Sequence, residues 1–406
     1  MISSTQQAPS PSPSNASNVT QLGPAGFLPE LEALRGLAAL AVVVEHTFLY
    51  ADGPLYGWLN NHPGAGPLMI WLTHVLFNGR AAVVLFFVIS GFVLARQMAG
   101  LRGSVPVRLQ SYLVRRLFRI VPAMWAAILF AYGFAWVCHP ELASEPWLLT
   151  KTLFLQDFRL DTPLWSLKAE LVCSLLFPLL YWFKVRRSPV AGVWLLLPLA
   201  GALFLPHHWQ GVDTARYLVF FQVGILAGTH GAAALQAIAP RWRPAAFLAA
   251  WAVLALSSQL WPFYQSVFNF HDDRAYLMLD IPASFLVMSF VVHGRLRAVR
   301  TVLRSRLASH LGKISFSLYL LHYVFSNNLW AEYAGAVHFE FVRNLAMPFA
   351  LVFFALIFYL SWPLAVLSHR YIEVPFNNLG RRISRHIEGQ CSPPPHKRRD
   401  KPARSI

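Results

Sequence analysis

From residue 28 onward the chain alternates apolar stretches with short breaks rich in Arg, Pro or Gly. Ten such stretches stand out, at about 31–50, 81–98, 117–137, 164–183, 190–205, 216–229, 245–262, 275–293, 314–333 and 346–367. Most come near the ~20 residues that a helix needs to cross the hydrocarbon core of a bilayer. Lipid offers the backbone no water to pair with, so each stretch is expected to be helical. The segments 68–77 (LMIWLTHVLF) and 147–155 are too short to span and are expected to be interfacial or re-entrant. The pattern predicts an all-α fold, a polytopic membrane helical bundle of about ten transmembrane helices over residues 27–375. A polar tail over residues 1–26 would precede it and a basic cytosolic tail over 376–406, containing Pro-Pro-Pro, would follow. The first 26 residues hold no Lys or Arg and no long apolar run, so they lack the pattern of a secretory signal. No internal repeat and no second soluble domain is apparent.

Composition narrows the function classes. The chain is 56% hydrophobic and only 13% charged, about half of the ~25% usual for a soluble domain, which excludes an ordinary soluble enzyme and a disordered chain. Its formal charge of +16, from 34 Lys+Arg against 18 Asp+Glu, would suggest nucleic acid in a soluble protein. Placement gives another account. With ten spans, 27 basic residues fall on one side and six on the other, and Lys168 lies inside a span. By the positive-inside rule the rich side, which includes both termini, is cytoplasmic. The expected partner of the surface is therefore the lipid bilayer, with no nucleic acid. Cys138, Cys173 and Cys391 are too few and too scattered for a disulfide framework or a zinc site, so no metal is expected.

Ionisable groups inside spans are costly and are therefore functional candidates. In the first span, LEALRGLAALAVVVEHT, Arg35 and His46 are 11 positions apart, three helical turns plus about 20°. They share a face, with Arg35 at the cytosolic boundary and His46 in the outer half. An imidazole titrates near neutrality and can take a proton from a hydroxyl, as a general base must. Glu170, in the fourth span, falls at a similar depth and is a candidate orienting carboxylate for His46. Lys168 faces away from it at i+2. The stretch RRLFRIVP places Arg115, Arg116 and Arg119 together, suited to bidentate phosphate binding and equally to topological anchoring. In the ninth span, Ser315, Tyr319 and His322 form a stripe at i, i+4 and i+7, either a candidate substrate contact or polar glue between helices. Ser90-Gly91 reads as a close-packing spot. Glu373, beside Pro375, reads as a cap or an ion-pair partner of Arg370 beyond the last span. Intramembrane His, Glu and Arg also build proton relays, so a transporter or flippase is the rival class.

Taken in order, these motifs resemble the membrane-bound acyltransferase-3 family. The resemblance rests on Arg35 and His46 with their spacing, Phe86-Phe87-x-x-Ser90-Gly91-Phe92, Arg115-Arg116-x-x-Arg119-x-x-Pro122, Trp165-Ser166-Leu167 with Glu170, Ser315 to His322, and Glu373-x-Pro375, across about residues 28–380. It implies acyl transfer from cytosolic acyl-CoA, usually acetyl-CoA, to a hydroxyl of a surface carbohydrate or lipid-linked glycan acceptor at a bacterial inner membrane. Acyl-CoA would serve as co-substrate, with no bound cofactor. His46 would be the general base, Glu170 its partner, and Arg35, Arg115, Arg116 and Arg119 the ligands of the coenzyme phosphates. Leu171-Val172-Cys173 departs from the family's continuation after the Glu. Some relatives carry an extra C-terminal hydrolase-like domain, and a chain ending soon after Glu373 is expected to be the form without it.

Overall fold

The computed structural model describes residues 28–48, 78–186, 189–204, 212–257, 277–293, 296–337 and 346–390. The N-terminal tail, the 68–77 segment and the residues after 390 lie outside these. The described residues are helical throughout, joined by turns. Ten longer helices carry the structure: α1 (Pro29–Phe48), α2 (Gly79–Gly100), α3 (Val105–Cys138), α4 (Leu164–Arg186), α5 (Leu218–Gln236), α6 (Arg243–Leu256), α7 (Leu277–His293), α8 (Arg306–Val337), α9 (Ala346–Ser368) and α10 (Val374–Gln390).

Five helical segments among the described residues are long and apolar enough to cross a membrane: Gly79–Gly100, Val105–Cys138, Leu164–Phe183, Leu218–Gln236 and Leu351–Gly389. A sixth appears if Leu277–His293 and Arg297–Leu303 form one bent span. This is the build of a multi-pass membrane protein. Helix α1 has the length, at 20 residues, but carries Glu30, Glu32, Arg35 and Glu45. It is accommodated by burial, packed against α8 and α2 through Ala33, Ala39, Val42 and Val43.

Two expectations change. The apolar stretch 190–205 is broken into Pro189–Trp194, Leu196–Gly201 and a 3-10 turn, Ala202–Phe204, where Gly192, Pro198 and Gly201 interrupt the run. Pro375 does not end a helix either. The chain passes from α9 through a π-helical segment, His369–Glu373, straight into α10. The missing N–H of Pro375 comes just after the π segment, where the Val374 N–H reaches back to the His369 carbonyl, a wider turn that lets the helix continue past the proline. The residues taken for the start of a tail thus form an amphipathic helix that lies antiparallel along the first half of α3. Ser111 Oγ donates to the Ser384 carbonyl (3.4 Å), Arg115 pairs with Glu388 (2.9 Å), and Gly380 sits against Phe118. The short helix Leu148–Leu153 fits the expectation that 147–155 does not span.

Candidate active site

The site starts from the contact of α1 with α8, two helices that run parallel. Gly36 faces the backbone of Gly312, and Gly312 faces the backbone of Glu32, so closely that a Cβ at either position would meet main chain. Their lack of side chains sets the approach. Of the two polar levels of α1, one lies at this contact and the other about three turns beyond it. At the lower one Arg35 Nε donates to Ser315 Oγ (2.9 Å) and Nη2 to the Gly312 carbonyl (3.3 Å). At the upper one, ten residues beyond each glycine, His46 Nδ1 meets His322 Nε2 at 2.8 Å, with the rings parallel and centroids 5.1 Å apart.

The histidine pair has a fixed tautomer. His322 Nδ1 lies 2.8 Å from the Tyr319 carbonyl, which can only accept, so His322 carries its proton there and its Nε2 is an acceptor. His46 must then donate from Nδ1. In the neutral pair the lone pair of His46 therefore resides on Nε2, the atom able to take a proton.

Around Arg35 the arginine cluster assembles. Arg116 Nη2 donates to Glu170 Oε1 (2.7 Å) and to Ser174 Oγ (2.7 Å), and Ser90 Oγ donates to Glu170 Oε1 (3.1 Å). Glu373, buried in the π segment, accepts from Ser317 N (3.0 Å) and Ser317 Oγ (2.6 Å) and lies beside His369 Nδ1 (3.3 Å). Arg119 stands within electrostatic reach of Arg35, Arg116, Glu170 and Glu373 but makes no hydrogen bond or ion pair among the described residues. Arg115 instead turns to α10, donating to Ser384 Oγ (2.7 Å) as well as pairing with Glu388.

Of these side chains, Arg35, Ser90, Arg115, Arg116, Arg119, Glu170 and Ser315 line a cavity of about 680 Å³. One end is ringed by Arg35, Arg96, Arg115, Arg116, Arg119 and Arg381; the other reaches Ser166 and Tyr319. Ser166 Oγ and Tyr319 Oη lie 2.6 Å apart, and Tyr319 Oη also donates to the Pro163 carbonyl (3.3 Å). Just past that pair, along α8, come His322 and His46. The arrangement offers an anion-binding mouth and a cavity that reaches Ser166 and Tyr319, with the histidine pair about one helical turn further along α8.

Several pairings differ from the sequence expectation. Glu170 sits with Arg116 rather than with His46, whose ring partner is His322. Ser315 holds Arg35, Tyr319 holds Ser166 and His322 holds His46, so each member of the α8 stripe positions another side chain. Ser90 is a ligand of Glu170, while Gly91 beside it does mark a close approach, to the backbone of Phe221. Glu373 belongs to the cluster and not to Arg370. Lys168 lies over the Phe158 ring at 5.6 Å. Sequence reasoning missed the His46–His322 pair, although a shared signal was present: both helices carry a glycine ten residues before a histidine.

The profile of a family described as an acyltransferase domain, acyltransferase-3, matches residues 28–366. Acyltransferase MdmB of Streptomyces mycarofaciens is 26% identical over 339 residues, covering 73% of this chain and 78% of that protein. O-acetyltransferase OatA of Staphylococcus aureus is 22% identical over 394 residues, covering 87% of this chain. Peptidoglycan O-acetyltransferase OatA of Listeria monocytogenes is 22% identical over 225 residues, covering 47% of this chain. The chain spans 58% of the length of the first OatA and 32% of the second. No solved structure matches.

Proposed function

The chain belongs to the acyltransferase-3 family, and from that premise we propose that it moves an acyl group, acetyl in the simplest case, from cytosolic acyl-CoA to a hydroxyl of a cell-surface glycan or related acceptor. We place it in a bacterial inner membrane, with about ten spans and both termini in the cytoplasm. The observation that carries this reading is the cavity with an arginine mouth at one end and, beyond Ser166 and Tyr319, the His46–His322 pair. A coenzyme A phosphate is a dense anion, and guanidinium groups bind such groups by paired N–H donors. Arg119 and Arg35 supply these donors, Arg116 is held in place by Glu170, and Arg115 stands at the rim.

In the reaction the acceptor O–H gives its proton to His46 Nε2 as its oxygen attacks the thioester carbonyl. His322 Nε2 keeps the imidazolium oriented through the Nδ1–H. The C–O bond forms, the C–S bond breaks, and the proton passes to the departing thiolate, giving ester and free coenzyme thiol. Glu170 is a positioning residue in this scheme, acting through Arg116.

Labelled acetyl-CoA offered to the full chain in membranes that hold its acceptor tests the reading. Wild type should transfer label to a glycan or lipid-linked fraction, and His46→Ala should lose about 10²–10⁴-fold in rate. Turnover retained in His46→Ala would remove it from the chemistry. Sidedness is checked through native thiols: Cys138, exposed at the end of α3, should react with an impermeant maleimide from outside, and Cys391 only after permeabilisation.

A further inference from the structure

We propose that Asp161 anchors the acceptor, its carboxyl group binding a hydroxyl of a polyhydroxylated substrate beside the His46–His322 pair. The proposal rests on the acyl-transfer reading above and adds a residue to it.

Asp161 lies in the turn that leads into α4. Its backbone N–H donates to the Phe158 carbonyl and its carbonyl accepts from Leu164 N, both at 3.1 Å. An Asp at the start of a helix ordinarily caps it, its side chain accepting a free backbone N–H. Here the next positions offer little to cap: Pro163 has no N–H and the Leu164 N–H is already used by the Asp161 carbonyl. The side chain makes no hydrogen bond with the described residues, and Oδ1 is fully buried without a partner. The residue is only 1% exposed, and the cations nearest in sequence are committed elsewhere, Arg159 to Glu145 and Asp157 and Lys168 over the Phe158 ring. Buried polar groups in folded proteins are nearly always paired, and one that is not calls for an explanation.

Position supplies it. Counting along α4 from the arginine mouth, Ser174 and Glu170 hold Arg116, Ser166 holds Tyr319, and Asp161 comes last. Along α8 the order is Ser315 with Arg35, then Tyr319, then His322 with His46. Asp161 therefore follows Ser166 on the side away from the arginines, and it lies near enough to Tyr319, three residues before His322 on α8, to act on its hydroxyl electrostatically. Burial pushes the Asp161 carboxyl well above the ordinary carboxylate range. A neutral acid both donates and accepts, which suits a sugar hydroxyl. The anionic donor, by contrast, is served by the arginines at the other end.

The test uses host membranes that contain the native acceptor, a strain lacking the chromosomal protein, and labelled acetyl-CoA. Wild type, Asp161→Ala and Asp161→Asn are compared for label in acceptor against label released as acetate, for donor KM, and for thermal stability of the purified chain. Asp161→Ala should shift the ratio of acceptor to acetate by about tenfold toward acetate, with donor KM unchanged and stability equal or higher, because a stranded polar group has been removed. Asp161→Asn, still able to donate and accept, should recover most of the transfer. An unchanged ratio, a parallel rise in donor KM, or a clear loss of stability in Asp161→Ala would overturn the proposal. Absence of transfer by wild type would instead overturn the acyl-transfer reading on which it rests.

Discussion

Two arginine-centred networks occupy opposite ends of α2, and they are built on opposite principles. Near its start, Arg80 is bonded to Asp280, to Ser257 Oγ (2.6 Å) and to the Leu254 carbonyl (3.3 Å). Ser257 donates to the other Asp280 oxygen (2.7 Å), and Asn78 both caps α2 (2.8 Å to Ala81 N) and reaches the Ala255 carbonyl (2.5 Å). Glu45 closes the group by facing the backbone N–H groups of Gly79 and Arg80. Near the end of α2, the mouth network gathers Arg35, Arg116 and Arg119 around Glu170 and Glu373, and leaves Arg119 unbonded in a cavity. The first network ties α1, α2, α6 and α7 together. The second holds excess positive charge against open space, an arrangement that wastes stability unless an anion arrives. Satisfied charge reads as a fastening, and unsatisfied charge in a cavity reads as a site.

Substitutions should affect the two networks differently. The largest effect is expected at the fastened end: Asp280→Ala strands the Arg80 guanidinium and should cost about 3 kcal/mol of stability, read by thermal denaturation in detergent. Any chain that remains folded should keep its donor KM. Next comes Arg119→Ala, which should raise the donor KM about tenfold, as for loss of a charge-assisted hydrogen bond, with the melting temperature unmoved. A destabilised Arg119→Ala with normal donor KM would erase the distinction. Ser317→Ala removes one of two hydrogen bonds from α8 to Glu373 and should cost about 1 kcal/mol, with a smaller rise in donor KM as Arg119 loses a well-placed counter-charge.

The smallest effect belongs to an exposed network outside both. Arg159 bonds Glu145 (2.7 Å) and Asp157 (2.8 Å) in the segment between α3 and α4, and its hydrogen bonds hold both carboxyls below their ordinary range. A depressed folded value means that the contribution is present above the unfolded pKa and is lost only as pH falls through the lower, folded one. Lowering the pH from about 7 to 5 should therefore leave this segment unchanged, and Arg159→Ala should not shift the melting curve measurably. A shift comparable to that of Asp280→Ala would show that exposed pairs matter as much as buried ones here.

Much of this was legible in the chain. Most of the apolar stretches appear as long helices, 190–205 being the broken one, and helical spacing together with the expense of intramembrane charge pointed to Arg35, His46, Arg116, Arg119, Glu170 and the Ser315–His322 stripe. All of these converge on one region. The partners were not legible, because they depend on the register between helices. Depth alone put Glu170 beside His46, whereas the α3–α4 contact gives it to Arg116 and the glycine contact of α1 with α8 gives His46 to His322. Arg115 was grouped with its neighbours by sequence, but α10 was not foreseen as a helix packed along α3, and its Glu388 claims that guanidinium. Asp161 escaped notice because an Asp before a helix resembles a cap. Only the bonds it fails to make set it apart.

The most direct test is equilibrium binding of acetyl-CoA to the purified full chain in lipid nanodiscs, comparing wild type, Arg119→Ala and His46→Ala. Micromolar or tighter binding by wild type (about −8 kcal/mol), weakened about tenfold by Arg119→Ala and left intact by His46→Ala, is the predicted result. Binding that is absent in wild type, or indifferent to Arg119, would contradict the assignment of the open arginine cluster to the acyl donor.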